Sequence, residues 1–321
     1  MGAGALTARA DWPAKVFAPY MYVGFGDDFK LTDGAEAGGV NHYTLAFVIA
    51  LQTGDHKKPV YQPVPSWDGR IPMDQRFYAD QIEALRRRGG DVIASFGGES
   101  GKELANVIDD PAQLQRAYQT VIDRYRFTWL DFDIEGRSLN RGKAANERRN
   151  TALATLQKAN PGLIVSYTLP VDPAGLSAAS LALLADAMKQ GVRIRSVNLM
   201  VMYFGKNYTH HGKSEGQLGI DSANQAHGQL AQIDPAIQIG LCPRIGKNGS
   251  ADELFTLEDA KTLKAFADQT PWICSLHYWN INEDANLPKY SKDWAAMGKD
   301  TPAAEPLRPW SFAKIFQPFT Q

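Results

Sequence analysis

Eight short apolar runs, separated by segments with helical spacing or by loops, constrain the fold of this 321-residue chain more than any other feature. The runs are 15–23, 42–50, 91–96, 128–136, 163–169, 196–204, 237–241 and 272–279. Helices are predicted over 33–37, 74–88, 111–125, 146–159, 177–189, 222–233 and 257–269. Several runs are apolar throughout, which is typical of parallel strands that helices cover on both faces. Strands and helices in this number and order predict an α/β fold, a (β/α)8 barrel, with its active site at the C-terminal ends of the strands.

One domain over residues 15–321 accommodates all eight runs, and residues 1–14 are expected to form an N-terminal extension. The interval between the last two runs has to contain the helix predicted over 257–269, which leaves residues 242–256 as a loop. Even small domains need about 50 residues, so no folded insertion fits there. We therefore predict a single domain without an inserted α+β domain.

The fourth run, TWLDFDIEG at Thr128 to Gly136, concentrates acidic residues on one face of a strand. Because alternate side chains of a strand share a face, Asp131, Asp133 and Glu135 should project together. Three crowded carboxyls cannot all be ionised in a site of low dielectric, so at least one proton should be retained near neutral pH. A solvated face of an antiparallel sheet is the alternative, but the opposite face is Leu, Phe and Ile, which favours a strand buried on both sides.

Charge and composition exclude several classes of partner. The chain has 34 basic and 35 acidic residues, a net charge of −1 and no long run of like charge, so no nucleic-acid partner is expected. No apolar run approaches the roughly 20 residues of a membrane span. The N-terminal stretch lacks the apolar core of a secretory signal, so the protein is either cytoplasmic or a mature domain whose signal has been removed; we expect the second, a secreted protein.

The sequence predicts neither a metal nor a cofactor. The six histidines show no ligand spacing such as H-x-x-x-H, and no carboxylate motif accompanies them. Cys242 and Cys274 each adjoin an apolar run, so buried free thiols are expected in preference to a disulfide.

Two motifs on neighbouring predicted strands resemble those of glycoside hydrolase family 18, the chitinases and their relatives. LDFDIEG at 130–136 resembles the signature D-x-x-D-x-D-x-E, and SFGG at 95–98 resembles the S-x-G-G of the third strand. LAF at 45–47, YTLP at 167–170 and VNLM at 197–200, with Trp279 on the last strand, are similar to the bacterial branch of the family. The resemblance extends over residues 15–320.

This resemblance implies a reaction and a role for each carboxyl. Glu135 would be the general acid that protonates the glycosidic oxygen. Asp133 would orient the 2-acetamido group of the substrate, whose carbonyl oxygen attacks the anomeric carbon to give an oxazolinium intermediate. Asp131 would share a proton with Asp133 and let it turn towards Glu135, which raises the pKa of the acid before the reaction. The implied activity is retaining, substrate-assisted hydrolysis of β-1,4 bonds in chitin.

Five side chains outside the acidic strand are candidates for supporting or binding roles. Ser95 and Tyr20 would donate hydrogen bonds to Asp131, although both could be ordinary polar residues of a barrel. Trp279 would form the apolar floor beneath the sugar, because pyranose rings present flat aliphatic faces to aromatic platforms. Trp67, in a predicted loop over 52–73, is a candidate for a neighbouring subsite or a structural residue. Met200, on the sixth predicted strand, is a further substrate-binding candidate.

Two positions depart from the family pattern. Thr128 replaces the first Asp of the long signature, at the end of the strand away from the carboxyls. On the sixth strand, Tyr203 stands where the family has Asp and Phe204 where it has Tyr. The hydroxyl that binds the acetamido group is therefore expected from Tyr203 or from Tyr167.

The leading functional hypothesis is an endo-acting chitinase that binds chitin or N-acetylglucosamine oligosaccharides as a monomer. An endo-β-N-acetylglucosaminidase acting on N-glycans would use the same mechanism and is one alternative. A chitinase-like lectin that binds without cleaving is another. The intact Glu135 disfavours the lectin, whereas the changed sixth strand favours it.

Overall fold

The structure is a computed structural model. It describes residues 12–25, 29–55, 57–209, 212–249, 253–286 and 307–320. The extension predicted at residues 1–14 lies mostly outside the described residues, as do positions 250–252 of the loop predicted over 242–256.

The described residues form fourteen strands and eleven α-helices. The strands are β1 (Val16–Phe17), β2 (Tyr20–Tyr22), β3 (His42–Asp55), β4 (Lys58–Trp67), β5 (Ile71–Pro72), β6 (Asp91–Gly97), β7 (Trp129–Asp133), β8 (Ile164–Asp172), β9 (Gly175–Leu176), β10 (Ile194–Met200), β11 (Gln238–Leu241), β12 (Gly246–Lys247), β13 (Leu254–Phe255) and β14 (Ile273–Leu276). The helices are α1 (Leu31–Gly38), α2 (Ala79–Arg87), α3 (Pro111–Tyr125), α4 (Gly136–Asn140), α5 (Lys143–Ala159), α6 (Ala178–Gln190), α7 (Lys206–Thr209), α8 (Glu215–Leu230), α9 (Leu257–Gln269), α10 (Ile281–Ala285) and α11 (Ser311–Phe316).

The parallel strands close into a barrel through a first strand that is split in two. β1 pairs in parallel with β14, and β2 pairs in parallel with β3. Between them the sheet runs in the order β14, β11, β10, β8, β7, β6 and β3, with each neighbouring pair parallel. The eight positions coincide with the eight apolar runs, so the predicted (β/α)8 barrel is confirmed.

The side chains of β7 alternate between the apolar layer outside the barrel and the polar interior of the barrel. Phe132 points outward, where its ring stacks on Phe96 with centroids 5.0 Å apart and meets Tyr118 of α3 at 5.3 Å. The alternate residue Asp131 points inward, in register with Ser95 of β6 and Ser166 of β8. The outward face thus forms part of the apolar core between sheet and helices, whereas the interior of the barrel around Asp131 is polar.

The segment predicted as a long loop over 52–73 instead forms a hairpin. β3 continues past the barrel and pairs antiparallel with β4, which in turn pairs with β5. Pro59, Pro63 and Pro65 of β4 disfavoured a strand prediction. Proline is tolerated there because β4 is an outer strand whose far side, before Ser66, has no pairing partner among the described residues.

Other boundaries differ by part of an element. The sixth barrel strand was predicted to reach residue 204, but it ends at Met200, and Tyr203 has a left-handed backbone with φ 54°. Helix α8 begins at Glu215, seven residues before the predicted start at 222, because the Ser214 hydroxyl accepts a hydrogen bond from the Gln217 N–H as an N-cap. The interval before the last barrel strand holds only the small hairpin β12–β13 and α9 among the described residues.

Candidate active site

Asp131 lies at the bottom of the site, fully buried inside the barrel. Five side chains from four neighbouring strands donate hydrogen bonds to its two carboxylate oxygens. The donors are Tyr20 (3.0 Å), Ser95 (2.8 Å), Ser166 (2.7 Å), Thr168 (3.0 Å) and Asn198 (3.2 Å). The hydrogen bonds expected from Ser95 and Tyr20 are therefore present. Burial raises the pKa of Asp131, and the hydroxyl donors act in the opposite direction by stabilising the carboxylate.

Asp133 and Glu135 interact with each other above Asp131. Asp133 ends β7, and Glu135 keeps the alternation of the strand because its backbone stays extended at φ −137° and ψ 177°. Burial raises the pKa of Asp133 well above its usual range, and the charges of Glu135 and Asp131 raise it further. Burial also raises the pKa of Glu135, to about 7, with a further contribution from Glu99. A carboxyl proton is thus retained here at neutral pH, as the crowding of the three residues predicts.

The side chain of Asp133 is turned towards Glu135. The two carboxyls are joined by a hydrogen bond, whereas the partners of Asp131 are hydroxyl and amide groups of other strands. The Oδ1 atom of Asp133 is buried and has no hydrogen-bond partner among the described residues. A buried acceptor of this kind is available to a group that a substrate brings into the site.

An aromatic floor borders the carboxyls. Trp279, just beyond β14, is half-buried and stacks on Phe47 of β3 with centroids 5.6 Å apart and planes 12° apart. Tyr20 and Tyr22 also contact the Trp279 ring, at 5.9 and 5.7 Å. Met200, a predicted binding residue, packs into the same apolar cluster. Such a floor suits the apolar face of a pyranose ring.

Phe47 and Tyr22 were missed as site residues. Each carried a usable signal, because Phe47 closes the LAF motif and Tyr22 is one strand period after Tyr20. Cys242, expected as a buried free thiol, is one, and it packs against the same floor. Burial and the charges of Asp133, Asp131 and Glu135 raise the pKa of its thiol, so it stays neutral.

Two predicted binding residues lie elsewhere. Tyr167 points out of the barrel, and its hydroxyl donates to Asn150 of α5 at 2.6 Å, so it does not supply the acetamido ligand. Its neighbour Thr168 is the residue of β8 that faces inward. Trp67 is fully buried, and its Nε1 donates to the Tyr125 hydroxyl at 2.9 Å, so it belongs to the core and does not form a subsite.

Tyr203 lies in the loop after β10, where its side chain is 53% exposed. Its backbone N–H donates to Oδ1 of Asn248 at 3.3 Å, which ties the residue to the hairpin β12–β13. Phe204 is buried instead. Tyr203 therefore remains the sixth-strand candidate with a hydroxyl accessible to a ligand.

In the part of the chain that the structure describes, no group of three or more His, Cys, Asp or Glu residues is placed to hold a metal ion. The described helices also include none with the length and apolar character needed to cross a membrane.

No family model matches the chain. Among curated proteins, a probable bifunctional chitinase/lysozyme of Escherichia coli (strain K12) is 30% identical over 334 residues, which cover 98% of this chain and 36% of that protein. Endochitinase 11 of Metarhizium anisopliae is 29% identical over 294 residues, which cover 87% of this chain and 54% of that protein. The chain thus spans about a third to a half of the length of these two relatives.

Solved structures match over nearly the whole chain. The catalytic domain of a hyperthermophilic chitinase from Pyrococcus furiosus has a TM-score of 0.77 at 30% identity, covering 97% of this chain and 96% of that one. Catalytic-site mutants of active domain 2 of a thermostable chitinase from Pyrococcus furiosus have been solved in complex with chito-oligosaccharides. The catalytic domain of a family GH18 chitinase from a fern shares the fold, with a TM-score of 0.58 at 14% identity. Given the match to the Pyrococcus furiosus domain along almost its entire length, the chain belongs to the chitinases of glycoside hydrolase family 18.

Proposed function

We propose that the chain hydrolyses β-1,4 bonds of chitin and N-acetylglucosamine oligomers with retention, through an oxazolinium intermediate. The observation that carries the proposal is the pair Asp133–Glu135, which retains a proton near pH 7 beside the half-buried ring of Trp279. A general acid works best when its pKa is close to the working pH, and Glu135 meets that condition.

The resemblance to glycoside hydrolase family 18 implies the reaction, and the positions of the carboxyls support it. A sugar resting on Trp279 presents its scissile bond to Glu135, which donates its proton to the glycosidic oxygen as the bond breaks. Asp133, protonated and turned towards Glu135, accepts the acetamido N–H with its unpaired oxygen. The acetamido oxygen then attacks the anomeric carbon. Glu135, now a carboxylate, takes a proton from the water that opens the oxazolinium ring, so the original anomeric configuration returns.

Asp131 supports this cycle from below. Its anionic carboxylate, held by five donors, lies close enough to raise the pKa of Asp133 and so keep Asp133 protonated before substrate arrives. The same negative charge favours the positively charged oxazolinium in an interior of low dielectric. The structure of a related chitinase with bound chito-oligosaccharides supports this choice of substrate. A polymeric substrate also favours action outside the cell.

The test is hydrolysis of N-acetylchitotetraose by the wild type and by Glu135→Gln. The amide keeps the shape of the side chain but cannot donate the proton, so turnover should fall by roughly 10² to 10⁴-fold. Binding of the tetramer, measured by calorimetry, should be retained. Glu147→Gln, an equal change of charge on the exposed side of α5, should leave turnover unchanged.

Two other outcomes would indicate a different function for the chain. Cleavage of N-glycans but not of chitotetraose would identify the endo-β-N-acetylglucosaminidase. Binding of chitotetraose without cleavage by the wild type would identify a lectin. Retention is checked by following the anomer that first appears in the NMR spectrum, since the inverted anomer would contradict the oxazolinium route.

A further inference from the structure

Residues 97–99, which end β6 and begin the loop after it, lie against the chain segment that carries the three carboxyls. Gly97 is in register with Asp133, and the N–H of Gly98 donates to the carbonyl oxygen of Asp133 at 3.0 Å. A Cβ atom at Gly97 would come within 2.1 Å of that carbonyl oxygen, and its φ is 106°. Glycine is required because any side chain would push the loop away from Asp133.

The same loop also touches the aromatic floor. A Cβ atom at Gly98 would lie 2.6 Å from the ring of Phe47, which stacks on Trp279. The loop therefore lies between the aromatic floor and the backbone of Asp133, and its next residue, Glu99, is exposed. Because Gly97 and Asp133 are in register on neighbouring parallel strands, Glu99 and Glu135, each two residues further along the chain, lie at the same end of the barrel.

We propose that Glu99 is a positioning residue, whose negative charge holds the proton on Glu135 and so sets the upper pH limit of hydrolysis. The inference rests on the proposed role of Glu135 as the general acid. Glu99 itself does not exchange a proton with the substrate and acts only through Glu135.

Several ionisable groups surround Glu135, and they do not act alike. Asp133 of β7 is hydrogen-bonded to it and favours its ionised form, whereas the charge of Glu99 opposes ionisation. Cys242, just after β11, is buried with a neutral thiol, and Tyr20 and Asp131 lie deeper, bonded to each other. Glu99 is thus the exposed member of this set, and its removal would leave the buried network intact.

The experiment compares kcat/KM against pH for the wild type, Glu99→Gln, Glu99→Asp and Glu147→Gln on a soluble chito-oligosaccharide. Because Glu99→Gln removes a negative charge near Glu135, the alkaline limb of its pH profile should lie at a pH lower by about 0.5 to 1 unit than that of the wild type. Glu99→Asp should restore most of the wild-type profile, and Glu147→Gln should not move it. Because Glu99 is exposed, the shift should shrink at about 0.5 M salt.

A second measurement does not depend on turnover. The carboxyl carbon of Glu135, labelled with ¹³C and assigned by its loss in Glu135→Gln, should titrate at lower pH in Glu99→Gln than in the wild type. The inference would be overturned if the titration midpoint of Glu135 were the same in Glu99→Gln as in the wild type. It would also be overturned if the alkaline limb of the pH profile were the same in both proteins. If the wild type cleaves no oligosaccharide, the proposed function fails, and the carbon titration still decides whether Glu99 controls the proton on Glu135.

Discussion

One strand and its extension supply three carboxyls to three different environments. Asp131 accepts hydrogen bonds from five donors, which favour its anion and oppose the burial that raises its pKa. Asp133 is buried beside that anion and next to Glu135, which favours its protonated form. Glu135, further out, has a pKa of about 7. Depth in the barrel thus gives the three carboxyls different environments, which supports their proposed roles: Asp131 as the anion, Asp133 as the group that stores a proton and Glu135 as the acid.

The pKa of Glu135 leads to a pH prediction. A general acid has to be protonated, so kcat/KM should fall tenfold per pH unit above about 7 and level off below it until other groups titrate. The measurement is the pH profile of kcat/KM on chitotetraose, with protein stability monitored over the same range. A profile that stays flat to pH 9 would show that Glu135 does not act as the acid.

Replacing Asp133 tests the assistance by the substrate. Asp133→Asn should lower turnover by roughly 10² to 10⁴-fold, because the amide cannot take up and release the proton that Asp133 shares with Glu135. Cellotetraose, which lacks the acetamido group, should not be cleaved by the wild type. Asp109→Asn, an exposed change of the same type, is the control and should retain activity. Rapid cellotetraose hydrolysis would point to a nucleophile supplied by the protein.

The strand period made Asp131, Asp133 and Glu135 predictable from the sequence, and the same rule explains the failure at Tyr167. On β8, the inward residues are Ser166 and Thr168, so the residue between them has to face outward. The family pattern directed attention to a tyrosine, whereas the alternation of the strand identified the threonine. The register that joins Ser95, Asp131 and Ser166 in one layer depends on how strands pair, which no single segment encodes.

At the scale of elements, the hairpin of β3 and β4 buries Trp67 against α3. Trp67→Phe should lower the free energy of unfolding by about 1 to 2 kcal/mol, because it removes the hydrogen bond to Tyr125 and part of the packed ring. KM for chitotetraose should not change, since the side chain is shielded from any ligand. Urea unfolding measures the stability and steady-state kinetics measure KM. A large rise in KM at unchanged stability would show that Trp67 contributes to a substrate subsite.

A second prediction concerns the packing of α8 against α9. Glu215, the first residue of α8, is 6% exposed, and its Oε2 has no hydrogen-bond partner among the described residues. Burial, with the charges of Glu253 and Asp259, raises its pKa from 4.5 to about 7. The folded state therefore binds more protons than the unfolded state between these values, so this residue should make the fold less stable as pH rises from about 4.5 to 7.

Glu215→Gln removes that titration. Relative to the wild type, the variant should be more stable at pH 8 by about 1 to 3 kcal/mol, and the difference should be much smaller at pH 4. Denaturant unfolding at both pH values measures the effect, with Glu258→Gln, an exposed residue of α9, as the control. An equal difference at pH 4 and pH 8 would show that the charge of Glu215 is not responsible.

At the scale of the whole molecule, the barrel was predictable from the sequence. Strands that are buried on both faces leave apolar runs, and eight such runs alternating with helical segments are typical of this fold. The elements outside the barrel were less predictable. The hairpin contains prolines that are compatible only with an edge strand, and edge position is a property of the finished sheet. The start of α8 depended on a cap at Ser214 that lies before the apolar pattern of the helix.

The shape of the cleft leads to a prediction about the mode of attack. A deep tunnel-like cleft needs walls on both sides, and an inserted α+β domain supplies one of them in some members of glycoside hydrolase family 18. Here the corresponding interval forms only the hairpin β12–β13 before α9 among the described residues, and on the other side β3 and β4 extend past the barrel as a single hairpin. A groove with one tall side leaves a polymer free to enter along its length and to leave after each cut.

The chain should therefore cut chitin internally. On soluble glycol chitin, viscosity should fall steeply while few new reducing ends have formed, because each internal cut shortens the chains far more than a terminal cut does. Early products should range over several lengths, and Glu135→Gln, assayed in parallel, should leave viscosity unchanged. Release of almost pure disaccharide from the first minutes, with viscosity maintained, would show that the chain stays bound between cuts, as a closed cleft would require.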